Sequence, residues 1–158
     1  MDITGISTVR EYLRCATQLY AHGWAERNGG NISMLMDDDF SGCKVLRRIP
    51  LSFAPGNMAG RCVLITGSGK YLKNVEIDPE CNVALLRIRE DHAELLWGLR
   101  DGGSPSSELA AHLLSHSSRL AAAPTHRVVM HTHATNAVAM TFVHSLDERE
   151  FTRTLWSM

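Results

Sequence analysis

Three short apolar runs constrain this chain more than any other feature. Cys62-Val63-Leu64-Ile65-Thr66, residues 83–88 and residues 93–97 are each five or six residues long and mostly aliphatic. Runs of that length are short for helices but suit strands buried in a sheet. The first is closed by Gly67-Ser68-Gly69, and the other two are joined by the polar Arg89-Glu90-Asp91-His92, as in a meander. Helical periodicity flanks this block on both sides. Over residues 8–22, Thr8-Val9-Arg10-Glu11 fits a capping box, Val9, Leu13, Ala16 and Tyr20 follow at helical spacing, and Gly23 stands where a helix stops. Over residues 106–120, Leu109, His112, Leu113 and His116 share one helical face. A turn at Asn28-Gly29-Gly30-Asn31 precedes a strand over residues 32–36, and residues 37–60 read as loop broken by Ile49-Pro50-Leu51. Residues 127–133 alternate as a strand, residues 136–144 read as a helix, and residues 151–158 open a further element. Adjacent strands mixed with helices predict an α/β layered domain with a mixed or antiparallel sheet. At 158 residues, one domain over 1–158 is expected.

Charge and cysteine usage narrow the classes of partner. Sixteen basic residues against seventeen acidic ones leave a net charge of -1. That balance speaks against nucleic acid or an anionic membrane as the main partner, since both require a basic face. No apolar run reaches the roughly 20 residues that span a bilayer. Residues 1–5 lack the basic and apolar regions of a secretory signal. Cys15, Cys43, Cys62 and Cys81 are widely spaced, form no CxxC pair and read as free thiols. The expectation is a soluble, cytoplasmic protein.

Three constellations carry chemistry. In His131-Thr132-His133, residues i and i+2 of a strand project from one face, so two imidazoles can reach one divalent metal. Nitrogen ligands favour zinc among the common metals. The same pair also fits two polar residues on a solvated strand. A catalytic zinc needs a third protein ligand, for which His112, His116, His126 and His144 are candidates by composition, although each reads as a surface or helix-face histidine. Pro105-Ser106-Ser107-Glu108 opens a helix, where free N–H groups and hydroxyls favour an anion. Glu108 there is either ordinary first-turn electrostatics or a carboxylate beside a metal, able to move a proton. The glycine turns at residues 28–31 and 66–70 offer bare amides that could cradle a phosphate or be turns alone. Gly69-Lys70 is not a P-loop, because Leu64 and Tyr71 occupy positions that require glycine and a hydroxyl residue. Together these features point to a phosphorylated substrate held against a metal, with a carboxylate proton shuttle.

The quoted stretches resemble the class II aldolase and adducin-head family. The resemblance rests on residues 23–31, residues 65–70, Leu96-Trp97-Gly98-Leu99, Pro105-Ser106-Ser107-Glu108-Leu109, residues 129–136 and residues 151–156, in family order over nearly the whole chain. It implies a three-layer α/β/α domain with a mixed, largely antiparallel central sheet. It further implies zinc-dependent retro-aldol cleavage of a small phosphorylated ketose by a homotetramer. Carried over by motif, His131 and His133 are zinc ligands and Glu108 is the catalytic acid/base. Asn28, Gly30, Asn31, Ser68, Ser106 and Ser107 bind the substrate and its phosphate. The family's third zinc histidine lies in a C-terminal portion beyond the HxH strand, and this sequence ends at Trp156-Ser157-Met158 before it. The resemblance therefore implies a chain incomplete at its C-terminus, with uncovered sheet edges and apolar faces and poor activity alone. A non-catalytic interaction module, or another sugar-phosphate aldolase or epimerase, are the competing expectations.

Overall fold

The apolar runs form the centre of one six-stranded sheet. The computed structural model describes residues 2–157. Its strands are β1 (Asn31–Met36), β2 (Arg47–Pro50), β3 (Cys62–Thr66), β4 (Val83–Ile88), β5 (His92–Gly98) and β6 (Val128–His131), in the spatial order β2-β5-β4-β3-β1-β6. Every pairing is antiparallel. The sheet is thus antiparallel throughout, at the far end of the mixed, largely antiparallel range expected.

Side chains alternate across this sheet and feed two cores. On one face Ile32, Met34, Leu64, Val83 and Leu85 pack with Val9, Leu13 and Ala16 of α1 (Ser7–Ala21). On the other, Leu35, Val63, Ile65, Leu86 and Ile88 pack with Leu109 and Leu113 of α3 (Leu109–Ala122). Helix, sheet and helix therefore form three layers, each helix burying one apolar stripe. Tyr12 ties α1 to the sheet by donating its hydroxyl to the Ile32 carbonyl at 2.9 Å. The Asp78 side chain caps the single turn α2 (Pro79–Asn82).

Local departures from the sequence reading have local causes. α1 begins at Ser7 with Ile6 at its cap and no side-chain cap bond, so Thr8 lies inside the first turn and the capping box does not form. The glycine stop does form: the Gly23 and Trp24 amides close the helix on the Tyr20 and Leu19 carbonyls. Strand β2 lies in the stretch read as loop; it is an edge strand, where Pro50 removes no needed donor. Strand β6 stops at His131, so His133 follows the strand instead of lying on it. α3 begins one residue after Glu108, which is its N-cap and not a first-turn residue.

The last elements, α4 (Thr135–Val143) and α5 (Glu148–Trp156), bury no side chain. Phe142, Val143, Leu146 and Trp156 face solvent, and β6 forms an outer edge of the sheet. Leu113 is fully buried in the core under α3. Leu113→Ala should cost about 2–5 kcal/mol, read as a fall in the urea midpoint at constant slope.

Candidate active site

The antiparallel pairing of β1 with both β3 and β6 brings the site together. It sets the start of β1 beside the ends of β3 and β6, with Asn31 opposite His131 and Ser33 opposite Ile65. A cleft of about 440 Å3 opens there, lined by residues of the turn before β1, the turn after β3, the lead into α3 and the end of β6. All nine expected site residues line it: Asn28, Gly30, Asn31, Ser68, Ser106, Ser107, Glu108, His131 and His133.

Backbone contacts fix the loops. Gly67 bridges to Pro105, the Ser68 amide donates to the Ser104 carbonyl at 2.8 Å, and the Ser106 amide donates to the Thr66 carbonyl at 2.9 Å. The turn after β3 and the lead into α3 are therefore one unit. Ser106 Oγ accepts from the Glu108 amide at 3.2 Å. Gly30 has φ +74°, and a Cβ there would stand 3.0 Å from the His131 carbonyl oxygen. Both facts require glycine. A Cβ on Gly29 would stand 2.8 Å from His133 Nδ1, so the turn and the imidazole pair are in close contact.

Although His133 lies past the strand, its amide donates to the Trp24 carbonyl at 2.7 Å, which keeps the two imidazoles together. Their ring centroids are 4.9 Å apart at 61°. Each Nδ1 faces a carboxylate: His131 donates to Glu108 Oε2 at 2.6 Å and His133 to Glu26 Oε1 at 3.3 Å. With Nδ1 protonated, each Nε2 carries the lone pair that ligates a metal, the arrangement carboxylate partners give metal-binding histidines. The donor set fits two positions of a tetrahedral zinc site. Among the described residues, no group of three His, Cys, Asp or Glu is placed to hold a metal. Glu26 is the participant to which sequence reasoning gave no role, although it lies within the residue 23–31 stretch that carries the family resemblance.

Burial pushes the Glu108 carboxyl upward, but hydrogen bonds from Asn31 and His131 and the charge of His131 outweigh it and hold the group below its usual range. Glu108 is therefore ionised at neutral pH and can accept a proton. The hydrogen bond to its own backbone amide, then that from His133, lowers Glu26.

None of the composition-based candidates joins the imidazole pair as a third ligand. His126 Nδ1 accepts from Arg119 at 3.0 Å, and His144 ends α4. His112 and His116 do lie on a helix face, but it is the inner one, and both are buried against Ser33 of β1. Burial lowers both imidazoles, that of His116 to about 4.

This layered fold, with a polar cleft where the strands end, is that of the class II aldolase and adducin class. The Class II Aldolase and Adducin N-terminal domain model matches residues 10–155, and the chain belongs to that family. Its relatives include the rhamnulose-1-phosphate aldolase of Listeria monocytogenes serotype 4a (strain HCC23), 49% identical over 99% of this chain and 60% of that protein. The rhamnulose-1-phosphate aldolase of Enterococcus faecalis (strain ATCC 700802 / V583) is 46% identical over 100% of this chain and 59% of that one. Among solved structures, the sugar-phosphate aldolase from Thermotoga maritima superposes with a TM-score of 0.73 at 30% identity, over 84% of this chain and 56% of that one. The chain thus spans about 60% of the length of the curated relatives it matches. No helix among the described residues is long and apolar enough to cross a membrane.

The buried imidazoles set a pH dependence. Their native pKa values lie below the ordinary 6.5, so the unfolded chain binds protons that the native chain refuses. The stability that these neutral imidazoles contribute is complete above pH 6.5 and is lost as pH falls toward 4. His116 alone contributes roughly 3 kcal/mol to that loss. Urea unfolding across this range checks it: an imidazole that titrates normally adds no such loss.

Proposed function

We propose that the chain carries the catalytic cleft of an L-rhamnulose-1-phosphate aldolase. The reaction is cleavage to dihydroxyacetone phosphate and L-lactaldehyde, a step of rhamnose catabolism. The observation that carries this reading is the meeting of Glu108, His131 and His133 with two glycine turns and a serine pair in one cleft. The names of the relatives support the substrate.

His131 and His133 would hold a zinc ion through Nε2. An ion held there would supply Lewis-acid stabilisation of the negative charge that develops on the three-carbon half. Asn28, Asn31, Ser68, Ser106 and Ser107 bind the phosphate through side-chain donors, and Gly30 lets the backbone amide approach the substrate oxygens. Ionised Glu108 accepts at Oε2 the proton released from the substrate hydroxyl as the carbon–carbon bond breaks. It then returns that proton to carbon on the three-carbon half, so the proton count balances. Two imidazoles alone bind zinc weakly, so turnover is read with zinc in excess. The chain is read as a single domain, working in the cytoplasm within a homotetramer.

Glu108→Gln keeps the size of the side chain and removes the proton acceptor. It should lower release of dihydroxyacetone phosphate from L-rhamnulose 1-phosphate by about 10²–10⁴-fold while zinc content is unchanged. His131→Ala should lose zinc and cleavage together. Turnover by Glu108→Gln at the wild-type rate, or equal cleavage of every ketose 1-phosphate offered, contradicts the reading.

A further inference from the structure

Behind Asn31 and Glu108 lies a run of polar groups that takes no part in the proton transfer. The Ser33 hydroxyl is buried on the sheet face that α3 covers, between His112 Nδ1 at 2.6 Å and His116 Nε2 at 2.8 Å. The second nitrogen of His112, Nε2, meets Asn31 Oδ1. The second nitrogen of His116, Nδ1, is buried with no hydrogen-bond partner. At the outer end, Asn31 and Glu108 line the same cleft, and the Asn31 side chain is among the groups that lower the Glu108 carboxyl.

Only one direction of donation satisfies both ends. A hydroxyl offers one proton and a neutral imidazole one N–H, so the run must point one way throughout. In one direction His116 Nε2–H donates to Ser33, Ser33 O–H to His112 Nδ1, and His112 Nε2–H to Asn31 Oδ1. The Asn31 NH2 is then left to donate to the ionised Glu108. The reverse direction would set the Asn31 oxygen against the Glu108 carboxylate. It would also bury an N–H at His116 Nδ1 with nothing to receive it, the rarer and costlier kind of orphan. The first direction leaves only a lone pair there.

We propose that His112 is a positioning residue: Ser33 and His116 hold it as the Nε2–H tautomer, and it fixes the Asn31 amide with its NH2 turned to Glu108. Packing alone does not call for this device, because apolar side chains of similar shape in place of Ser33, His112 and His116 would fill the space at little cost. What they could not do is fix the orientation of an amide whose two ends are sterically alike but electrostatically opposite. The inference deepens the aldolase reading, since it rests on Glu108 being the proton-transfer group.

Long-range proton–nitrogen correlation spectra of the wild-type chain test the tautomers without substrate or metal. His112 and His116 should both carry their proton on Nε2 with a bare Nδ1. A proton on His112 Nδ1, or either ring averaging between tautomers, overturns the proposal. His112→Gln keeps an N–H donor near the lost Nε2, and His112→Leu removes it. Solvent exchange of the Asn31 side-chain amide should rise about tenfold in His112→Leu, the weight of one hydrogen bond, and return near the wild-type rate in His112→Gln. Equal exchange in all three proteins overturns the proposal. Should His112→Leu fail to fold, Ser33→Ala takes its place, and there the fixed tautomer of His112 should be lost. A wild-type chain without cleavage activity would count against the aldolase reading alone, so the two failures are told apart.

Discussion

Strand β1 runs antiparallel to both of its neighbours, and the cleft depends on that pairing. Because β3 and β6 end where β1 begins, two loops and an imidazole pair converge with no long excursion of the chain. The lead into α3 is drawn to the same place by its bonds to Thr66 and Gly67. The donors and the carboxylate thus stand on backbone that the sheet fixes, as preorganised electrostatic stabilisation requires. A slip of one residue in the β1–β6 register would turn Asn31 and His131 to opposite faces.

The polar floor of the cleft is a second consequence. Ser33 lies two residues after Asn31 on β1, so both side chains face α3, and His112 and His116 descend from that helix at i, i+4 spacing. The core thereby trades apolar area for oriented hydrogen bonds directly beneath the reacting groups. Such networks are stable only when nearly every member is satisfied, and here one lone pair, on His116, is left over. The charges above follow the same logic, with carboxylates on each Nδ1 turning both Nε2 atoms free for a metal.

Much of this was legible in the residues. Strands β3 and β4 match their apolar runs end to end, and the inner face of α3 is the Leu109, His112, Leu113, His116 set read from periodicity. The nine residues expected at the site lie in the motifs quoted from the sequence and line one cleft, their individual roles having been implied by the family resemblance. What stayed hidden depended on tertiary pairing. Strand β2 has only four residues and gains its identity from β5. Glu26 lies in the quoted stretch of residues 23–31, but its role appears only because His133 is folded back onto it by the Trp24 carbonyl. His112 and His116 read as helix-face histidines, but their burial and roles require knowing that Ser33 lies opposite. The capping box failed because the helix cap lies two residues earlier, at Ile6, which moves Thr8 into the first turn.

The central claim is that His131 and His133 form a metal-binding pair whose Nδ1 atoms are held by carboxylates. Anomalous scattering at the zinc edge, on crystals of the zinc-loaded protein, tests it most directly. The account predicts zinc bonded to Nε2 of both residues, at about 2.0–2.1 Å, with the Glu108 and Glu26 contacts intact. Zinc bound elsewhere on the chain, or on Nδ1 with the His131–Glu108 contact broken, would contradict it.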